Sequence, residues 1–305
     1  MNKQNIGMVY VATRRPYYVA EAFLSAHSAR DFMPGLPITL CTDLPDVPFA
    51  RSPCFSSVVP LETRRRYRSL WAEGQLDRIR ALRNSPYDYT LHLDTDTRVL
   101  TPEFSSLFRK LDDIDIGMAV CQPDVSKCAQ LTGLPMFNVG FILFRRSPGV
   151  LALLEAWEKL TRENFALGNL DVPPKTELTA HIDDPEIRRE LLFMDQTSFV
   201  QLLSPTVNKF GVQLEIMDEA WNFRSTGRGR VFDRPVKISH HPELRERLAG
   251  DIIARAGQYL QAGNPTLAQS LLQCLHDELV PTENASGRAQ VQALIDQVRR
   301  APGQP

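Results

Sequence analysis

The first hundred residues alternate short apolar runs with amphipathic stretches, and that alternation leaves few folds open. Residues 6–12 form a compact apolar run. Residues 17–30 follow with Val19, Ala22, Phe23 and Ala26 at helical spacing, entered through Pro16, whose fixed φ suits a first turn. Residues 38–42 read as a second strand, ended by Asp43-Leu44-Pro45. Leu70, Leu76, Ile79 and Leu82 predict a helix over 70–82, stopped by Asn84-Ser85-Pro86. Residues 89–93 are the next strand, and they deliver Asp94-Thr95-Asp96. Strands and helices alternating at this pitch predict an α/β fold, a mixed but mostly parallel sheet flanked by helices on both faces.

The middle is less regular. Residues 114–120 and 141–144 read as strands, 147–160 as an amphipathic helix through Val150, Leu153, Leu154 and Trp157, and 191–203 as another helix. Between these helices, 168–185 mixes Pro, Gly and charge without a period, which predicts a surface loop or lid. A last short strand, 236–239, runs into His240-His241-Pro242. From about residue 244 the pattern is helical only, over 244–261, 265–279 and 289–299. The run Ala256-Gly257, Tyr259, Gly263, Ala268 is similar to one tetratricopeptide unit. A lone unit of that kind leaves an apolar face uncovered, so it must pack on the main domain, a second copy or another protein. The expected division is a domain over 1–243 and a helical appendage over 244–305.

Composition narrows the function classes. The chain has 35 Lys+Arg against 36 Asp+Glu, a formal net charge of −1, without the basic surplus that phosphate neutralisation on nucleic acid demands. Five cysteines are scattered with no C-x-x-C pair, which predicts neither a zinc knuckle nor a disulfide scaffold. The apolar run at 6–13 stops at Arg14-Arg15, too short for a secretory core, and no stretch approaches the ~20 apolar residues of a transmembrane segment. These features together predict a soluble, cytoplasmic protein.

Chemistry concentrates at Leu91-His92-Leu93-Asp94-Thr95-Asp96-Thr97. An Asp-x-Asp at the end of a central parallel strand lies on the edge where open α/β sheets bind ligands. Two carboxylates there repel each other unless a cation intervenes, and a hard divalent ion such as Mn²⁺ or Mg²⁺ keeps positions open for diphosphate oxygens. The bland alternative is an Asp-rich turn.

The wider pattern resembles the GT-A nucleotide-diphospho-sugar glycosyltransferases, in particular those similar to retaining glycosyltransferase family 8. The resemblance spans most of residues 5–242. It is carried by residues 85–99 around Asp-x-Asp, then Phe137-Asn138-Val139-Gly140, Asp195-Gln196 and Val236-Lys237-Ile238-Ser239-His240. It implies a GT-A fold and transfer of a sugar from a UDP-sugar or similar donor to an acceptor hydroxyl, with retention. Asp94, Asp96 and His240 would be the metal ligands, with His241 the alternative by a one-residue slip. Thr13 and Tyr17, in the loop after the first strand, would meet the nucleobase, the plainer role for Tyr17 being packing at a helix start, although Arg14-Arg15 depart from the acid common there. Arg78 would approach the nucleotide, Lys237 the β-phosphate. Asn138, Asp195 and Gln196 would face the transferred sugar and acceptor, Gln196 being a candidate to stabilise the anomeric carbon; the plainer role for Asp195 is a helix cap. Arg80 is a weaker nucleotide candidate. The run Arg64-Arg65-Arg66-Tyr67-Arg68 either holds a diphosphate, meets an acidic acceptor or membrane surface, or is a solvated face.

Two other readings stay open at this level. Asp-Thr-Asp-Thr after apolar residues also fits a haloacid-dehalogenase-like phosphatase with Asp94 as nucleophile, although that motif usually closes the first strand. A non-catalytic scaffold acting through the helical tail is the second. Glycine-rich phosphate loops are absent.

Overall fold

The computed structural model describes residues 5–62, 64–69, 71–120, 131, 136–203, 209–224, 234–240, 247–280 and 284–300. Among these, seven strands form one sheet in the order β3-β2-β1-β4-β7-β6-β8. They are β1 (Ile6–Val11), β2 (Ile38–Thr42), β3 (Ser57–Pro60), β4 (Tyr89–Leu93), β6 (Ile116–Val120), β7 (Phe137–Arg145) and β8 (Leu214–Met217). Only β7 runs against the others, pairing antiparallel with both β4 and β6. A second, two-stranded sheet pairs β5 (Thr97–Val99) with β9 (Ile238–His240). The expected mixed, mostly parallel α/β sheet is therefore what the chain forms.

Helices cover both faces. α1 (Pro16–Phe32) lies on one, and α2 (Ala72–Arg83) and α3 (Pro148–Gly168) on the other. Alternate residues of the central strands feed the two cores: Leu91, Leu93, Phe141 and Leu143 join Phe23 of α1, whereas Ile142 and Phe144 meet Ile79 of α2 and Trp157 of α3. Burial at about 1.5–3 kcal/mol per large apolar side chain makes this two-sided core the main source of cohesion.

The chain departs from expectation in several places. β7 begins at Phe137 rather than 141, which puts Asn138 inside the strand. β3, β5 and β8 lie outside the expected elements because three or four residues are too few to show a period. The 3-10 helix over Pro102–Asp112 does carry one, Phe104, Leu107, Phe108 and Leu111 at helical spacing behind a Thr101 cap, which the sequence reading passed over. The helix expected over 191–203 is two, α4 (Pro185–Leu192) and α5 (Asp195–Leu203). Asp195 N–H donates to Gln75 Oε1 (2.8 Å) and Asp195 C=O accepts from Trp157 Nε1 (2.8 Å), so tertiary partners fix the break. The expected lid is tied down: Arg188, buried, donates to the carbonyls of Pro173, Ile182 and Asp183, and Arg189 to those of Gly168, Leu170 and Asp171.

The tail consists of α6 (Leu248–Gln261), α7 (Pro265–Cys274), a π-helical turn over Leu275–Leu279 and α8 (Ala285–Arg299). Its apolar face is covered by this chain itself. Ile252, Ala256, Leu271 and Ile295 share one core with Phe23 and Phe49, and Tyr259 OH meets His27 Nε2 (2.8 Å) and Ser52 Oγ (3.0 Å). Cys41, Cys54 and Cys274 are buried free thiols. Cys121 and Cys128 lie outside the described residues.

Candidate active site

The C-terminal end of β4 delivers Asp94, and a web of hydroxyls shapes the turn that follows. Thr97 Oγ1 donates to Asp94 C=O (2.8 Å), so Ser25 Oγ must donate to Thr97 (2.7 Å) and Tyr10 OH to Ser25 (2.8 Å). Thr95 Oγ1 donates to the buried carboxylate of Glu21 (2.9 Å). Glu21 and Ser25 both belong to α1, which thereby grips the turn at two points.

His240 arrives from the far end of the sequence. The β5·β9 register sets Thr97 opposite His240, which brings the imidazole over the turn. Its Nε2 lies 3.3 Å from Asp96 Oδ1 and 3.8 Å from Asp94 Oδ2. One ligand atom from each of Asp94, Asp96 and His240 lies within 4.8 Å of the others. His240 Nδ1–H donates to Asn222 Oδ1 (2.9 Å), leaving the Nε2 lone pair facing the acids. His92 is held alike: Nδ1–H donates to Val9 C=O (2.9 Å), and the buried Nε2, without a hydrogen-bond partner, faces Asp94 Oδ1 at 3.6 Å.

Gly140 makes room for this convergence. Its C=O accepts from Asp94 N–H (2.9 Å), and a Cβ there would lie 2.5 Å from Asp94 Oδ2 and 2.7 Å from His240 Cε1. Two carboxylates and an imidazole turning electron pairs to one point suit a divalent cation, and the oriented imidazole and the glycine cradle both fit one.

Arg78 balances the carboxylates. Its guanidinium donates to Asp94 Oδ1 (3.0 Å) and Asp195 Oδ2 (2.5 Å). Burial alone would push the Asp94 carboxyl up, yet Arg78, with His92 and His240, holds it well below the usual carboxylate range. At Asp195 burial prevails over Arg78, and the carboxyl is raised.

These groups line a cleft of about 520 Å³, a size common for small-molecule sites. Its other wall comes from the β1–α1 loop and the start of α2. Arg14 takes φ +75°, which costs a side-chain-bearing residue on the order of 1 kcal/mol; Asp43 Oδ1 accepts its N–H (2.7 Å) and Arg64 C=O its guanidinium (3.2 Å). Arg14, Arg15, Arg65, Arg78 and Arg224 all border the cleft.

Of the residues singled out from sequence, Thr13, Arg78, Asp94, Asp96, Asn138, Asp195, Gln196 and His240 border this one cleft. Asn138 is buried, its Oδ1 accepting Gly140 N–H (3.0 Å). Tyr17 packs against the α1-side core, 4.8 Å from the Tyr18 ring, and it is Tyr18 that reaches the cleft wall. Lys237 is elsewhere: its ammonium meets Glu103 Oε2 (2.5 Å) and lies over the Trp221 ring. Arg80 serves Asp77 and Glu158, and Arg64, Arg66 and Arg68 are paired with Glu62, Glu73 and Asp171, leaving Arg65 as the member of that run at the cleft. His241 lies outside the described residues.

Sequence reasoning missed His92, Gly140, Asn222, Tyr18 and Trp71, whose ring borders the cleft 6.0 Å from that of Tyr18. Strand alternation could have found His92, two residues before Asp94 and so on its face. Gly140 stood in the Phe-Asn-Val-Gly segment already singled out. Nothing local marks Asn222.

No protein-family model and no curated protein sequence matches the chain. Among solved structures it is similar to the galactosyltransferase LgtC with donor and acceptor sugar analogues (TM-score 0.48, 16% identity, covering 77% of this chain and 87% of that one). It is also similar to the glycosyltransferase GlyE of Streptococcus pneumoniae TIGR4 (0.45, 15%, 78% and 54%). A third likeness is to a glycosyltransferase involved in glycosylation of the major capsid of PBCV-1 (0.44, 12%, 77% and 92%).

Proposed function

We propose that this chain is a metal-dependent glycosyltransferase of the GT-A kind, moving a sugar from a nucleotide-diphospho-sugar, such as a UDP-sugar, to an acceptor hydroxyl. The observation that carries the reading is the meeting of Asp94 and Asp96 with His240, from a distant part of the chain, in an arginine-bordered cleft. What a divalent cation supplies when bound there is compensation for negative charge gathering on a leaving diphosphate.

This chain's own residues would do the rest. Arg14, Arg15, Arg65 and Arg224 supply planar guanidinium donors for phosphate oxygens. Arg78 is committed to Asp94 and Asp195 and keeps two neighbouring acids compatible. Asn138 and Gln196 offer amides that both donate to and accept from sugar hydroxyls. Gln196 is the candidate to stabilise positive charge at the anomeric carbon in a retaining transfer.

Calorimetric titration of UDP with and without Mn²⁺ tests the reading, followed by metal-dependent hydrolysis across a panel of nucleotide sugars. Nucleotide binding that needs the metal is expected. Hydrolysis of a simple phosphoester without nucleotide binding would instead mark a phosphatase, and neither activity would leave a scaffold. Asp96→Ala should abolish turnover with the fold kept. Gln196→Ala should lower the rate while nucleotide affinity holds.

A further inference from the structure

α1 has two tasks on opposite sides. Glu21 and Ser25 grip the Asp-Thr-Asp-Thr turn through Thr95 and Thr97, while Phe23 and His27 face Tyr259 of the tail, the Phe23 and Tyr259 rings stacked with centroids 6.5 Å apart. The tail also reaches the turn more directly. Arg98, on β5, has a side chain only 11% exposed; its Nη1 donates to Thr97 C=O (2.7 Å), and its Nη2, buried without a hydrogen-bond partner, lies 3.9 Å from Asp251 Oδ2 on α6. The other charged or ionisable groups acting on this guanidinium are Tyr10, Glu21 and Asp96. Arg98 thus lies two residues from one acid of the cation site, on the strand whose register with β9 places His240.

We propose that the helical tail is a built-in positioning element of the cation site, with Asp251 neutralising Arg98 and so holding the β5 strand that sets Asp96 against His240. This rests on the reading that Asp94, Asp96 and His240 hold a divalent ion. The physical reason is asymmetry. A buried guanidinium with a carboxylate partner is tolerated, whereas one stripped of that partner must find water or another acid. The remaining acids within its electrostatic reach are Glu21, which grips the turn through Thr95, and Asp96 itself. Loss of Asp251 therefore turns Arg98 toward the groups that shape the turn and draws β5 away from the geometry the ion needs. Tail and site are then one unit, and the tail is no detachable recruiting arm.

Binding of Mn²⁺ to the full-length protein, read from the electron paramagnetic resonance signal of the free ion, tests this without any turnover. Asp251→Asn, nearly isosteric, should weaken Mn²⁺ binding about tenfold, the lower end for groups that orient metal ligands. Asp251→Glu should restore it to within about threefold, and Arg98→Met combined with Asp251→Leu should recover it by removing both charges. Arg98→Lys is the second route should Asp251→Asn not fold: it keeps a cation but loses the fork, and affinity should fall as well. Asp31→Asn is the control. Asp31 meets Arg255 of α6 at 3.4 Å, a tail contact that does not involve Arg98, and its loss should leave Mn²⁺ affinity unchanged. Unchanged affinity in Asp251→Asn, with wild type binding the ion, overturns the proposal. So does an equal loss in Asp31→Asn, which would mean that any loosening of the tail suffices. No Mn²⁺ binding by wild type would overturn the site reading itself, and this proposal with it.

Discussion

Asn222 Oδ1 accepts the Nδ1–H of His240 at 2.9 Å, and both side chains are buried. This bond decides which imidazole nitrogen meets the acids, because a ring with its proton fixed on Nδ1 has an electron pair at Nε2. Asn222→Leu removes the acceptor and frees the ring to turn or change tautomer. Mn²⁺ affinity measured by calorimetry should fall about 10- to 100-fold, and Asn222→Asp, which keeps an acceptor, should bind better than Asn222→Leu.

Gly140→Ala asks whether the cradle is needed. The new Cβ would lie inside van der Waals contact of Asp94 Oδ2 and His240 Cε1, so one of the two must move. Overpacking of this kind costs roughly 1–3 kcal/mol. The expected result is loss of Mn²⁺ binding with the circular-dichroism spectrum kept; wild-type affinity would show that the site adapts.

Arg78→Met would leave the buried Asp195, and Asp94 at the cleft beside it, with no guanidinium between them. Breaking a buried ion pair from one side costs about 3–5 kcal/mol, so urea unfolding should show a loss of that order. Adding Asp195→Asn removes one uncompensated acid and should return part of it. A loss under about 1 kcal/mol would mean that water reaches the pair.

His27 sets an acid limit. Burial, with the Arg255 and Arg30 charges, lowers its pKa from the ordinary 6.5 to about 3. Below pH 6.5 the unfolded chain takes up a proton that the folded chain refuses, so stability falls with pH from 6.5 toward 3. At pH 5 the loss from this group is about 2 kcal/mol. In His27→Gln, the urea midpoint should change less between pH 7 and pH 5 than in wild type. An equal pH dependence would place the acid sensitivity elsewhere.

How much was legible follows from range. Asp94 and Asp96 could be read because a strand of period two ended in them, and α1, β2 and β4 because each carries its own periodicity or punctuation. β5 has three residues and no pattern; only its pairing with β9 makes it a strand. Tyr17 and Tyr18 are adjacent aromatics at a helix start that both pack on the core, and nothing local distinguishes which one also reaches the cleft. Lys237 stands three residues before a histidine that enters the site, an odd offset that an extended chain sends to the opposite face, and Glu103 and Trp221 hold the ammonium away from the cleft.

By itself, then, the sequence determined the alternation of elements, the mostly parallel sheet and the place where paired acids leave it, because these depend on patterns within a few turns or one strand. Tertiary structure alone decided that Asn222 orients His240, that Gly140 leaves space for it, that Arg78 ties Asp94 to Asp195, and that the tail covers α1 and reaches Arg98. The residues in these contacts are 16 or more positions apart. What joins them is register, burial and the need of buried charges for partners, and those arise only once the sheet has assembled.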